Sequence, residues 1–251
     1  MAKLTILGSS NAIPSQEHEN THMVLATKNH TILVDCSGNP IVRLQTAGIN
    51  FQNITDIILT HFHPDHVGGL PLLLMDMWLL GRRTPLNIYG LDYTLDRAEA
   101  MMELFTWKDW PNFFEVNFCR VSESPFAVLM DNEDVRIYAS PVKHFVPNIG
   151  LRFELKEEGK SLVYSCDTEP CSAVFSLSQN SDVLLHEASG DFSGHSSAAQ
   201  AADVARTANV QELVLIHYPT GALAVGDLLA EAARKFNGPT RLATDFMVIE
   251  L

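Results

Sequence analysis

The chain reads as an α/β protein on three observations. Short runs rich in Val, Ile and Leu recur along its 251 residues, helical patterns separate them, and several of the runs end on a His or an Asp. In order, the extended runs fall at residues 4–7, 31–34, 57–59, 86–89, 135–138, 151–155, 162–164, 183–185, 213–216 and 247–249. Between them, helices are predicted near 40–47, 70–80, 95–105, 197–208 and 227–236.

Two of these helices carry their own end signals. Ser197-x-x-Gln200 is a capping-box pattern ahead of an Ala-rich run, and Arg234-Lys235 followed by Asn237-Gly238-Pro239 is a stop. The segment 70–80, Leu-Pro-Leu-Leu-Leu-Met-Asp-Met-Trp-Leu-Leu, is apolar nearly all round and must be buried by the core or by a partner. Its Met75, Met77 and Trp78 suit an interface between two copies, so a homodimer is expected. No repeat, low-complexity tract or linker divides the chain, and residues 1–251 are read as one domain.

Composition narrows the function. With 17 basic and 30 acidic side chains the formal charge is −13, which disfavours a generic electrostatic grip on nucleic-acid phosphates. The 46% hydrophobic content argues for a globular core and against disorder. No run is long enough to span a membrane, and the first apolar run stops too early at Gly8-Ser9-Ser10-Asn11 for a signal peptide. Cys36, Cys119, Cys166 and Cys171 show no Cys-x-x-Cys pairing, so neither a disulfide framework nor a thiolate zinc site is expected. A cytoplasmic protein with reduced thiols is the default reading.

The strand ends carry the chemistry. Ile-Leu-Val-Asp35, Ile-Leu-Thr-His61, Val-Tyr-Ser-Cys-Asp167, Val-Leu-Leu-His186 and Val-Leu-Ile-His217 each bring a polar group to the C-terminal edge of a buried strand, where α/β proteins build sites. One such residue alone would be read as a turn Asp or a satisfied buried His. Five together point to a common centre.

The densest signal is Thr60-His61-Phe62-His63-Pro64-Asp65-His66-Val67-Gly68-Gly69-Leu70, with four ligand-type side chains in six residues. Alternation puts His61 and His63 on one side of an extended segment, while Asp65 and His66 turn to a second point, which suits two adjacent metals. Imidazole and carboxylate without thiolate favour Zn²⁺, with Mn²⁺ or Fe²⁺ as alternatives. Gly68-Gly69 would let the chain turn tightly into the next helix, whose N-terminal N–H groups could face an anion.

With His61-x-His63-x-Asp65-His66, the sequence resembles the metallo-β-lactamase superfamily, and within it RNase Z and its phosphodiesterase relatives. The likeness runs through Gly8-Ser9-Ser10-Asn11, Leu33-Val34-Asp35-Cys36, Lys143-His144, Cys166-Asp167-Thr168-Glu169-Pro170, His186-Glu187-Ala188, Gly194-His195-Ser196 and Ile216-His217. It implies an αββα sandwich of two mixed β-sheets flanked by helices. It also implies two divalent metals: His61, His63 and His144 on one, Asp65, His66 and His217 on the other, and Asp167 bridging them. Asp65 is thereby counted with the catalytic set as well.

Two metals can share and acidify a water for attack on a phosphodiester, and the departing alkoxide then needs a proton. His195, paired with Glu187, is the candidate acid, with helix capping as the competing reading. Asp35 is expected to bond a ligand His, and His186 either does the same or makes a structural hydrogen bond. His18, His22 and His30 are expected in solvated loops, with residues 9–22 able to overhang the site. Trp107, Trp110, Phe113 and Phe114 are read as core or interface packing in preference to a base-stacking platform.

The resemblance departs in two places, and at one of them the segment after Gly90, Leu91-Asp92-Tyr93-Thr94-Leu95-Asp96, lacks the Gly-rich basic stretch that family members often show. RNase Z proteins generally carry a long tRNA-binding arm between the residues matching His144 and Asp167, whereas here that interval is 23 positions, enough for a hairpin. The expected activity is therefore a dinuclear phosphodiesterase acting on RNA or on a small or cyclic phosphodiester, with tRNA disfavoured. A lactonase or arylsulfatase of the same fold is the alternative enzyme, and a non-catalytic binding protein is the alternative class.

Overall fold

The computed structural model describes residues 1–251. Within each short apolar run, successive side chains leave on opposite faces, and both faces are buried. In Thr31–Val34, Ile32 and Val34 point into one apolar layer and Leu33 into another; in Lys160–Tyr164, Leu162 and Tyr164 share that first layer while Val163 joins a third. Strands covered on both sides need two sheets face to face with helices outside.

That is the architecture. One sheet orders its strands β14(Val248–Glu250), β1(Lys3–Gly8), β2(His22–Ala26), β3(Thr31–Val34), β4(Asp56–Ile58), β5(Leu86–Leu91), β6(Val116–Val121). The other orders β13(Thr240–Leu242), β12(Glu212–Ile216), β11(Val183–Glu187), β10(Lys160–Tyr164), β9(Ile149–Leu155), β8(Val135–Pro141), β7(Ala127–Asp131). Both sheets are mixed. β3 to β6 run parallel, as do β10 to β13, so the C-terminal ends of these strands collect at one edge.

The middle layer, including Leu4, Ile6, Ile58, Phe153, Tyr164 and Ile216, glues the sheets together. α1(Pro40–Thr46), α3(Leu70–Leu79) and α4(Asp92–Glu103) cover the first sheet, with Leu44, Leu73, Leu74, Met77 and Leu95 facing it. α5(Ser172–Ser178), α6(Ala198–Thr207) and α7(Leu228–Ala233) cover the second. The αββα sandwich expected from the resemblance is thus the fold.

Local signals explain several elements. Ser197 Oγ accepts from the Gln200 N–H and the Gln200 side chain accepts from the Ser197 N–H, so the capping box is formed. On α3, Leu70, Leu73, Leu74 and Met77 are buried while Leu72 and Leu79 are exposed, so Met77 is a core residue rather than an interface one. Trp107 and Phe114 lie buried on the outer face of the first sheet, with Trp110 and Phe113 packed beside them, as the packing reading expected.

Some expectations need correction. β2 was hidden in what reads as a polar loop, and its first residue, His22, is fully buried instead of solvated. Gly68 and Gly69 have ordinary right-handed φ values of −62° and −83°, and the Gly69 N–H donates to Cys36 O instead of facing a substrate. Space, not φ, requires Gly69: a Cβ there would sit 3.0 Å from Cys36 O and 2.8 Å from the Pro40 ring.

Candidate metal centre

The two parallel strand sets deliver their ends to the same edge of the sandwich. Asp35 follows β3, the His61 to His66 loop follows β4, His144 follows β8, Asp167 follows β10, Glu187 closes β11 and His217 follows β12. Asp35, Cys166 and His217 have φ of 60°, 53° and 51°, a left-handed conformation that costs non-glycine residues energy and recurs at functional edges. His63 is extended at φ −108°, and Pro64 then starts α2(Pro64–Val67), so His61 and His63 precede a helix whose first turn carries Asp65 and His66.

Four of the imidazoles are oriented through Nδ1. His66 Nδ1 donates to Asp35 Oδ2 at 2.8 Å, His144 Nδ1 donates to Gly194 O at 2.7 Å, His217 Nδ1 meets Ser189 Oγ at 2.9 Å and His61 Nδ1 meets Thr60 Oγ1 at 3.1 Å. The Thr60 hydroxyl donates to Asp35 and the Ser189 hydroxyl to His217 O, so each is left to accept from its His. With Nδ1 protonated, Nε2 of all four rings is a free lone pair.

These lone pairs converge. His66 Nε2 lies 3.4 Å from Asp65 Oδ2 and 3.5 Å from Asp167 Oδ2; His217 Nε2 lies 3.5 and 3.3 Å from the same two atoms. N–H···O bonds run at about 2.7 to 3.2 Å. The edges of a tetrahedron of ligands about 2.0 to 2.1 Å from an ion are about 3.3 to 3.4 Å. The spacing matches ligands around an ion, and His66 Nε2, His217 Nε2 and Asp167 Oδ1 are buried without any hydrogen-bond partner.

The second group is His61, His63 and His144. His63 Nδ1 lies 3.0 Å from His61 Nε2 and 3.2 Å from His144 Nε2, so at most one proton on His63 faces two acceptors. A cation satisfies all three. Burial pushes His61, His63 and His144 below the ordinary histidine range, which keeps them as neutral donors of electron pairs. Burial would raise Asp65 and Asp167, but without a cation between them His66 and His217 are drawn into holding protons, outweigh burial and keep both carboxyls well below the usual range; a bound cation would take the place of those protons. Asp167 also comes within reach of His144 and His195, so it stands between the two groups.

His195 faces the same cavity, a space of about 280 Å³ lined also by Asn11, Ile13 and Ser189. Its Nδ1 lies 3.0 Å from Glu187 Oε1. The helix α6 begins only at Ala198 with Ser197 as its cap, so His195 does not cap it. Glu187 further accepts the Thr168 and Ser189 N–H groups, at 2.8 and 3.0 Å, and burial raises its carboxyl above the glutamate range.

All seven proposed ligands, and Glu187 with His195, therefore gather at one place. Asp35 bonds His66 as expected, whereas His186 meets only the carbonyl of Glu187 within its own strand. The loop after Ser9 does overhang the site through Asn11 and Ile13. Ser189 and the Gly194 carbonyl were not anticipated, because neither residue type nor spacing marks a side-chain hydroxyl or a peptide oxygen that meets a distant ring.

Residues 2–227 match the family model described as anti-Pycsar protein Apyc1. A Ribonuclease Z of Methanothermobacter thermautotrophicus is 28% identical, the alignment covering 100% of this chain and 97% of the relative. That alignment runs over 306 positions against a chain of 251 residues, so the relative carries segments missing here. Among solved structures, the metallo-β-lactamase fold protein YhfI from Bacillus subtilis superposes with a TM-score of 0.82 at 23% identity, covering 100% of this chain and 99% of that one. The short form of human tRNase Z gives 0.76 at 26% identity, covering 99% and 98%.

Proposed function

The chain belongs to the anti-Pycsar Apyc1 family, in the RNase Z-like branch of metal-dependent hydrolases with the metallo-β-lactamase fold, and we propose that it is a dinuclear phosphodiesterase acting on a small or cyclic phosphodiester. The observation that carries this reading is the pair of ligand groups, His61-His63-His144 and Asp65-His66-Asp167-His217, with Asp167 between them and a Glu187–His195 pair beside them. Zn²⁺ suits the donor set, with Mn²⁺ or Fe²⁺ as alternatives.

Two ions in these groups would neutralise charge on the phosphoryl oxygens and acidify an attacking water. The remaining work falls to side chains. Glu187 accepts the His195 Nδ1 proton and so fixes the ring with Nε2 toward the cavity. From Nε2 a proton passes to the departing ester oxygen as its bond to phosphorus breaks. Asp35, Ser189, Thr60 and the Gly194 carbonyl keep the four rings from turning.

A proton donor at this position serves an alkoxide leaving group such as the one an alkyl phosphodiester releases. The interval from His144 to Asp167 holds only the β9–β10 hairpin, leaving no clamp for a folded RNA. For assembly we propose a homodimer, because Leu72, Leu79, Leu80, Leu104 and Phe105 are exposed at and near α3 beside the stacked Trp78 and Trp110. No helix is long and apolar enough to cross a membrane; in keeping with the unpaired cysteines, the proposed compartment is the cytoplasm.

The function is tested by stripping the protein with a chelator, reloading it with Zn²⁺ or Mn²⁺, and assaying bis(p-nitrophenyl) phosphate. Activity that is lost and restored with close to two ions per chain is expected. Activity unaffected by stripping would contradict the reading.

A further inference from the structure

The cavity beside His195 has no lysine or arginine in its lining. Apart from metals and a protonated His195, nothing there offers positive charge to a polyanion, and beyond Asn11 and Ser189 what remains for the organic part of a substrate is apolar. Phe145 and Phe192 stand on its lip, 62% and 53% exposed, with Ile13 at 57% on another side. Single exposed apolar residues are ordinary; two aromatic rings flanking one histidine at a cavity mouth are a local feature.

Both rings are seated on glycines in conformations that other residues rarely adopt. Gly194 has φ +80°, and a Cβ there would lie 2.5 Å from the Phe145 ring; Gly190 has φ +139°, and its Cβ would lie 2.7 Å from the Phe192 ring. Gly194 is itself fixed, its N–H donating to Glu169 Oε1 at 2.9 Å and its carbonyl accepting from His144 Nδ1 at 2.7 Å. The Phe192 and Phe145 centroids lie 4.9 and 6.1 Å from the His195 ring, at 50° and 63°. The rings are therefore held beside the proposed proton donor while leaving much of their surface open.

We propose that Phe145 and Phe192 form a clamp for the flat organic group esterified to the phosphate, an aromatic base or aryl ring, and so decide which phosphodiesters the site accepts. The proposal rests on the phosphodiesterase reading above. Stacking needs only a π-face, so such a clamp selects for the presence of a ring and tolerates its identity.

The test uses two substrates with one leaving group. Zinc-loaded wild type and the Phe145→Ala/Phe192→Ala protein are compared on the methyl ester of thymidine 5′-phosphate, which carries a ring, and on the methyl ester of abasic 1,2-dideoxyribose 5-phosphate, which carries none, with products followed by chromatography. Wild type is expected to prefer the first in kcat/KM, mainly through KM. The preference should shrink roughly 5- to 100-fold in the double variant, the range that loss of base stacking implies. A preference within twofold of wild type would overturn the clamp. If the alanine pair does not fold, Phe145→Leu/Phe192→Leu keeps the apolar bulk without the flat faces, and the same loss is expected at its lower end.

If neither diester is turned over by metal-loaded wild type, the phosphodiesterase reading fails and the clamp is judged separately. Thymidine itself is then titrated and followed by NMR. At least fivefold weaker binding by the double variant supports the clamp, and equal binding removes it.

Discussion

Glu187 Oε1 accepts from His195 Nδ1 at 3.0 Å and from the backbone N–H of Thr168, the residue after Asp167, at 2.8 Å. One buried carboxylate thereby ties the proposed proton donor to the strand end that carries the residue lying between the two ligand groups. Its position should make acid catalysis separable from metal binding.

His195→Ala is expected to cut turnover roughly 10²- to 10⁴-fold on a diester with a poor, alkoxide-like leaving group. Loss with p-nitrophenolate, which leaves without help, should be much smaller, and metal content should not change. An equal loss on both substrates would make His195 a structural residue.

Asp167→Ala should lose both ions more readily than His195→Ala, because Asp167 is the carboxylate that lies within reach of both ligand groups. Asp35→Ala, which frees the His66 ring, should weaken metal binding roughly 10- to 100-fold. Elemental analysis after dialysis against graded chelator measures both. Two ions retained by Asp167→Ala would refute the shared position.

Acid stability should depend on two histidines outside the centre. Burial pushes His22 and His186 from an ordinary value near 6.5 down to about 4. The unfolded chain takes up protons near pH 6.5 and the native rings do not, so stability is full above that pH and falls as pH drops toward 4. Each ring accounts for a loss of about 3 kcal/mol across that window. Denaturation midpoints at pH 7 and pH 5 should therefore differ less in His22→Gln or His186→Gln than in wild type; an identical pH difference would contradict the assignment.

The exposed leucines around α3 predict association. Light scattering at micromolar concentration should return about twice the chain mass of 27.8 kDa, and Leu79→Asp with Leu80→Asp should shift it toward one chain. A wild-type mass of one chain would remove the dimer.

Much of the centre was legible from residue order alone. Asp35, His61, Asp167 and His217 each end an apolar run, and parallel strands flanked by helices place such ends at one edge, so their convergence follows from topology. Glu187 and His195 were legible because eight residues separate them across a single turn-back from β11 to α6. His22 was misread since β2 is only five residues long and follows a polar stretch. β6 and β13, and the short α2 and α5, lack a run long enough to stand out from their neighbours, whereas the apolar run at 126–130 is as long as any read as a strand and makes β7 a missed element. Ser189 and the Gly194 carbonyl act across 28 and 50 residues, and no local pattern encodes which hydroxyl or peptide oxygen a ring will meet. The two glycine seats are likewise visible only once Phe145 and Phe192 are in place.

The central claim is that this centre hydrolyses a small phosphodiester rather than trimming a folded RNA, given a net charge of −13 and a bare hairpin between His144 and Asp167. The direct measurement is kcat/KM for bis(p-nitrophenyl) phosphate and for precursor tRNA, with the same metal-loaded preparation at physiological salt. Clear hydrolysis of the diester with weak or no site-specific cutting of the tRNA is expected. Efficient, correctly placed cleavage of the precursor tRNA would contradict the account.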